Sequence, residues 1–160
     1  MIKKIAYILL ALLVIIQFIR PARNISTAES ANHIGKKYTI SASMAGILEK
    51  ACYDCHSNNT VYPWYANVQP VGFWLDNHVK EGKGELNFSE FLTYTPKKAR
   101  HKMEDVVEQV KEGEMPLNSY TWMHKNAKLT QEERSAITIW ADALAKQIAL
   151  ENNLPSSESK

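Results

Sequence analysis

Two cysteines and a histidine stand together in Cys52-Tyr53-Asp54-Cys55-His56, and the chain has no other cysteine. Thiols three residues apart can reach the two vinyl groups on one edge of a porphyrin and form thioethers with them. The histidine that follows at once is then placed beneath the iron as an axial ligand. The spacing points to covalent attachment of one haem c per chain through Cys52, Cys55 and His56. Two other chemistries use such a pair. A zinc site asks for four ligands, commonly a second C-x-x-C or two histidines a helical turn apart, and His78, His101 and His124 are too widely spaced. A redox dithiol expects a βαβ setting, whereas the surrounding sequence has helical period. As a structural disulfide the pair would close too short a loop to staple much.

An iron held by His56 leaves a sixth position. Met115 is the first candidate: it lies in a loop before Pro116, which stiffens the backbone and cannot continue a helix. His78 is the alternative, on an apolar stripe where histidine is more often a packed residue bonded to a carbonyl. His124, Met103 and Met123 are weaker candidates, Met103 because it falls at a core position; a vacant sixth site is the other reading. Pro63 or Pro70 could lend a carbonyl to the second ring nitrogen of His56 and so fix the ring.

The elements that must position these residues read as helices. Met44, Ile47, Leu48, Ala51 and Cys55 share one face of a first helix, with Ser41 or Ser43 as cap. Val71, Trp74, Leu75, His78 and Val79 mark a second helix over about 70–80, ended by Gly82 and Gly84. Thr95-Pro96 opens a third, whose face is Ala99, Met103, Val106, Val107 and Val110 and whose stop is Gly113. Thr130-Gln131-Glu132-Glu133 is a capping box for a fourth, carrying Ala136, Ile137, Trp140, Leu144 and Ile148. No segment alternates like a strand. The expected fold is all-α, a cytochrome c-like helical domain wrapped around haem, with long aromatic loops near 57–69 (Tyr62, Trp64, Tyr65) and 113–129 (Tyr120, Trp122) that cover the haem or fill the core.

The N-terminus is different. Lys3 and Lys4 precede an apolar run from Ile5 to Ile19 broken only by Gln17, and Arg20, Pro21 and Arg23 follow. A cleaved signal peptide wants a small-residue site after the run; Arg20-Pro21-Ala22-Arg23-Asn24 is a poor one. The segment therefore reads as an uncleaved transmembrane anchor over 1–20, short but flanked by cations that can snorkel to headgroups. Residues 21–40 read as a polar linker, 41–150 as the haem domain and 151–160 as a disordered tail. Because c-type haem is attached outside the cytoplasmic membrane, the domain is expected on the periplasmic side of a single-pass inner-membrane anchor. The formal net charge of +2, without a basic stripe, argues against nucleic acid.

Several separated blocks also resemble a known family: Cys52 to Thr60, Tyr62-Pro63-Trp64-Tyr65, His78-Val79-Lys80-Glu81-Gly82, Leu86-Asn87-Phe88-Ser89-Glu90, Glu114-Met115-Pro116-Leu117, then Tyr120, His124, Ala127, Leu129-Thr130 and Trp140. In this order they are similar to the small haem-binding domain family found mainly in Bacteroidetes, usually behind one hydrophobic segment. The resemblance spans roughly 40–145 and implies a cytochrome c-like domain with haem on Cys52, Cys55 and His56. The Leu129-Thr130 helix through Trp140 is likewise similar to the last helix of class I cytochromes c, which crosses the first. Electron transfer with redox protein partners is the leading function. A haem-based sensor gated by a displaceable sixth ligand is the alternative. Catalysis such as peroxidase activity would need distal acid–base groups, and only the unplaced His78, His101 and His124 could supply them, so the chain reads as a carrier rather than a catalyst.

Overall fold

The computed structural model describes residues 1–155, and every described element is helical. The α-helices are α1 (Ile2–Ile16), α2 (Ala42–Ala51), α3 (Tyr53–His56), α4 (Val71–Glu85), α5 (Pro96–Glu112), α6 (Asn118–Met123) and α7 (Gln131–Glu151), joined by short 3-10 turns. The helix starts follow their side-chain caps. Ser41 Oγ accepts from Met44 N at 3.2 Å, Thr95 precedes Pro96 at the head of α5, and the Thr130–Glu133 capping box is complete. Gly113, at φ 80°, closes α5 in the left-handed region that favours glycine.

The core is built from α2, α5, α7 and two segments with little regular structure. Leu48 of α2, Met103 of α5 and Ile137 and Ile148 of α7 are fully buried with Phe88, Phe91 and Ile34. Burying each such side chain contributes roughly 1.5–3 kcal/mol. The pairing of α5 with α7 is the most extensive in the molecule. Arg134 Nη1 of α7 donates to Val110 O at the end of α5, and Lys50 of α2 reaches Glu133 at 2.6 Å. The last helix does touch α2, but it lies chiefly along α5, because the apolar face of α5 is its longer partner.

Several expectations need correction. The helix of Met44 to Cys55 is broken at Cys52 (φ −128°, ψ −44°), so the motif forms a separate turn, α3. The second helix runs through Gly82 and Gly84 to Glu85. Gly82 is there for space: a Cβ would stand 2.7 Å from Cys55 O. Residues 21–40 are no free linker. Ile34 and Tyr38 are buried in the core, and Asn24 donates from Nδ2 to Ser57 O and Thr60 Oγ1 while its carbonyl accepts from Thr60 N. Residue 151, assigned to the tail, ends α7, and 156–160 lie outside the described residues.

The expected transmembrane helix is not met by α1. Its 15 residues rise about 22 Å, short of roughly 30 Å of hydrocarbon, because the helix stops at Ile16 and Gln17 turns to the domain. No helix among the described residues is long and apolar enough to cross a membrane. None of its residues is buried.

The two glycines of α4 predict opposite outcomes. Gly82→Ala sets a Cβ against the Cys55 backbone and is expected to destabilise by about 1–3 kcal/mol. Gly84, with open space around it, should stabilise by up to about 1 kcal/mol when changed to alanine. Urea unfolding of both variants followed by circular dichroism measures the pair, and equal shifts would deny the close approach.

Candidate haem site

His56 sits where α3 meets the end of α4. Its Nδ1 lies 3.0 Å from Leu86 O, the first carbonyl after the helix. A carbonyl only accepts, so Nδ1 carries the proton and Nε2 is the nitrogen with a lone pair for a metal. The orienting carbonyl is thus Leu86 rather than Pro63 or Pro70, because the α3 turn rests on α4 across Gly82 and faces its C-terminal end. Burial pushes His56 below the ordinary imidazole value, outweighing the carbonyls of Leu86 and Gly82 that favour the charged ring. The ring is held neutral, as a metal ligand must be.

A lattice of amides fixes the loop that leaves the motif. Asn58 N donates to Ser89 Oγ, Asn58 Nδ2 to Glu90 Oε1, and Asn87 Nδ2 to Asn58 Oδ1. Asn32 Nδ2 completes it on Glu90 Oε2. The segment after His56 is thereby tied to residues 87–90, just past the Leu86 carbonyl that orients the ring.

Asp54, between the cysteines, has its own two partners. Its Oδ1 accepts from Val61 N at 2.8 Å, and its Oδ2 accepts from Tyr120 Oη at 2.6 Å. That second bond draws α6 onto the motif. Burial first, then the Asp54 carboxylate, raises Tyr120 well above the usual phenol range.

Two apolar cavities open on either side of these residues. One of about 340 Å³ is walled by Leu48, Leu86, Phe88, Val106, Val110 and Ile137, with Glu85, Lys102, Asp105 and Gln109 at a polar edge. The other, about 260 Å³, is walled by Cys55, His78, Gly82, Pro116, Leu117 and Tyr120. Cys52, His56, Glu85 and Met115 border both. Met115 reaches this place because α5 ends in Gly113 and the chain doubles back, with Glu114 N and Met115 N both donating to Gln109 O. The Met115–Pro116 bond is cis.

The other sequence candidates fall differently. His78 borders the second cavity, but its Nδ1–H donates to Trp74 O at 2.9 Å and its ring packs on Trp74. His124 borders neither cavity: it stacks on Tyr120 and lies 3.3 Å from Tyr65 Oη. Met103 is fully buried in the core. Met123 lines an outer cavity beyond Cys55 and Tyr120. His101 is exposed on α5 beside Glu104 and Asp105. Sequence reasoning missed the roles of Leu86, Gly82, Asn24 and Asp54, and it named Tyr120 only as an aromatic loop residue, without its bond to Asp54. The blocks Ser57 to Thr60 and Asn87 to Glu90 were visible, but their mutual contact was not.

The donor set and the cavities fit a porphyrin better than the competing chemistries. Burial pushes the Cys52 thiol up to about 12, and burial with the Asp54 charge pushes Cys55 up to about 11. A redox dithiol works through a lowered thiol. No cluster of three metal-binding side chains occurs among the described residues. A flat apolar group bordered by two thiols, a neutral histidine and a thioether matches what is there.

The Tyr120–Asp54 bond carries a prediction. Tyr120→Phe should cost about 1.5–3 kcal/mol at neutral pH, the range for a hydrogen bond to a charged group. A phenol raised in the folded state gives stability that is complete below its unfolded value, about 10, and fades as pH climbs toward the folded value. The variant should therefore lose less stability than wild type on going above that pH. Unfolding midpoints across the alkaline range test this, and parallel curves would refute it.

The sequence model of the haem-binding domain family matches residues 11–143. That match takes in the α1 end, the motif, both cavities and most of α7. No curated protein and no solved structure matches the chain. Family match and site geometry agree, and the chain belongs to the haem-binding domain family.

Proposed function

We propose that the protein is a membrane-attached c-type cytochrome that carries electrons outside the cytoplasmic membrane. The observation that carries this reading is that Cys52, His56 and Met115 border the same two apolar cavities. Cys52 and Cys55 would hold the haem as thioethers, and His56 Nε2 and Met115 Sδ would bind its iron. Bound haem supplies a one-electron couple, and an axial methionine raises its potential. The chain's own residues do the rest. Leu86 O keeps the His56 ring aimed and burial keeps it neutral, Leu48, Phe88, Val106 and Ile137 exclude water, and the amide lattice holds the motif still. Burial lowers Lys102, but the Glu85 and Asp105 carboxylates outweigh it and the net shift is upward. It stays cationic at the cavity's polar edge and would receive a propionate.

Attachment to the membrane falls to α1, whose residues from Ile5 to Ile15 are apolar and exposed. Its length supports insertion aided by its cationic flanks rather than a self-sufficient span. A second reading is favoured by one observation: His78 borders the cavity beside Met115. A ligand exchange between the two would make the domain a sensor.

The two readings separate on the holo-protein. For the carrier, ferrous wild type does not bind CO rapidly. Met115→Ala opens the iron to CO and lowers the reduction potential by at least tens of millivolts, out of the roughly 0.8 V that axial ligands command. His78→Ala leaves both properties unchanged. Ready CO binding by wild type, or a response to His78→Ala alone, would overturn the carrier reading.

A further inference from the structure

The described residues hold a surface that neither the haem site nor the core accounts for. A third cavity, about 380 Å³, lies beyond Cys55 and Tyr120, between α4 and α6. Val71, Trp74, Trp122 and Met123 are among its walls, and no Asp, Glu, Lys or Arg lines it. Those four walls are also exposed: Trp122 is 80% and Met123 54% accessible, with Trp74 and Val71 partly so. Trp64, 76% accessible, packs edge-on against Tyr65, which lines the cavity, and Val68, four residues on in sequence, is exposed too. Exposed apolar side chains gathered about one cavity mark an interaction site.

Its position relative to α1 identifies the partner. Gln17, directly after α1, grips Gln69 by both polar atoms: Nε2 donates to Gln69 O at 3.0 Å, and Oε1 accepts from Gln69 N at 2.9 Å. Arg20 and Arg23 both donate to Asn67 Oδ1, and the Arg23 guanidinium lies over the Tyr62 ring. The helix is therefore fastened to residues 62–69, the segment that carries Trp64 and Val68 and leads into Val71 and Trp74. A bilayer that accepts α1 lies next to this face. Tryptophan is the side chain suited to that depth, an apolar body with one N–H for the wet side. Two exposed arginines at the same joint can meet headgroup phosphates.

We infer that the face formed by Trp64, Val68, Val71, Trp74, Trp122 and Met123 rests in the headgroup layer of the membrane that receives α1. This rests on the reading of α1 as the membrane attachment. It gives the haem domain a fixed orientation, with the cavity beside Cys55 opening toward the lipid surface.

The test uses the full-length holo-protein in vesicles of phosphatidylcholine and phosphatidylglycerol carrying a diazirine phospholipid. After photolysis, adducts are mapped by mass spectrometry. Adducts are expected on α1 and also on residues 61–74 and 118–123, with none on the α7 peptide that carries Trp140. Trp64→Glu/Trp122→Glu should keep the α1 adducts and lose those of the two segments several-fold. Adducts confined to α1 in wild type would overturn the inference while leaving the membrane reading standing. Cross-links joining this face in two copies of the chain would overturn it in favour of self-association. Absence of adducts on α1 itself would remove the membrane reading and this inference together.

Discussion

The hydrogen bond between His56 Nδ1 and Leu86 O is the constraint around which the molecule is arranged. For that carbonyl to be available, α4 must end at Glu85, since a helical Leu86 would point its C=O along the axis. For the ring to reach it, the α3 turn must lie against α4, and a side chain at position 82 would hold the two apart at Cys55 O. The amide lattice of Asn58, Asn87, Ser89 and Glu90 then locks the chain on both sides of the contact. An aimed imidazole is the product, kept neutral by its burial, and its aim owes more to backbone placement than to its own neighbours in sequence.

The rest of the site follows from how α5 stops. Gly113 reverses the chain, Gln109 O takes two amides, and Met115 returns to the rim that Cys52 and His56 share. Tyr120 closes the far side by bonding Asp54, a residue inside the motif itself. Motif, methionine loop and α6 are therefore held as one unit by charge-assisted and backbone hydrogen bonds, while α5 and α7 supply the packed wall behind it.

Much of this was legible in the sequence, where local chemistry decides local structure. Thr95-Pro96, Gly113 and the Thr130–Glu133 box mark both ends of α5 and the start of α7 to the residue, because caps act on their own helix ends. The motif and Met115 were also legible as candidates. Contacts across the chain were not. Gly82 looks like a helix stop until its neighbour is known to be Cys55 O. Polar residues 21–40 look like linker because Asn24 and Asn32 satisfy distant partners, Thr60 and Glu90, that no local pattern reveals. The apolar run through Ile19 suggested one continuous helix, yet Gln17 leaves it for Gln69, a bond across 52 residues.

The central claim is that Cys52 and Cys55 hold a haem covalently beside His56. Its most direct test is expression of the full chain with a c-type maturation system, followed by a denaturing gel stained for haem peroxidase activity. Haem that stays with the wild-type band, and leaves it in Cys52→Ala/Cys55→Ala, is the result this account predicts. A folded, exported wild type whose band carries no haem would contradict it.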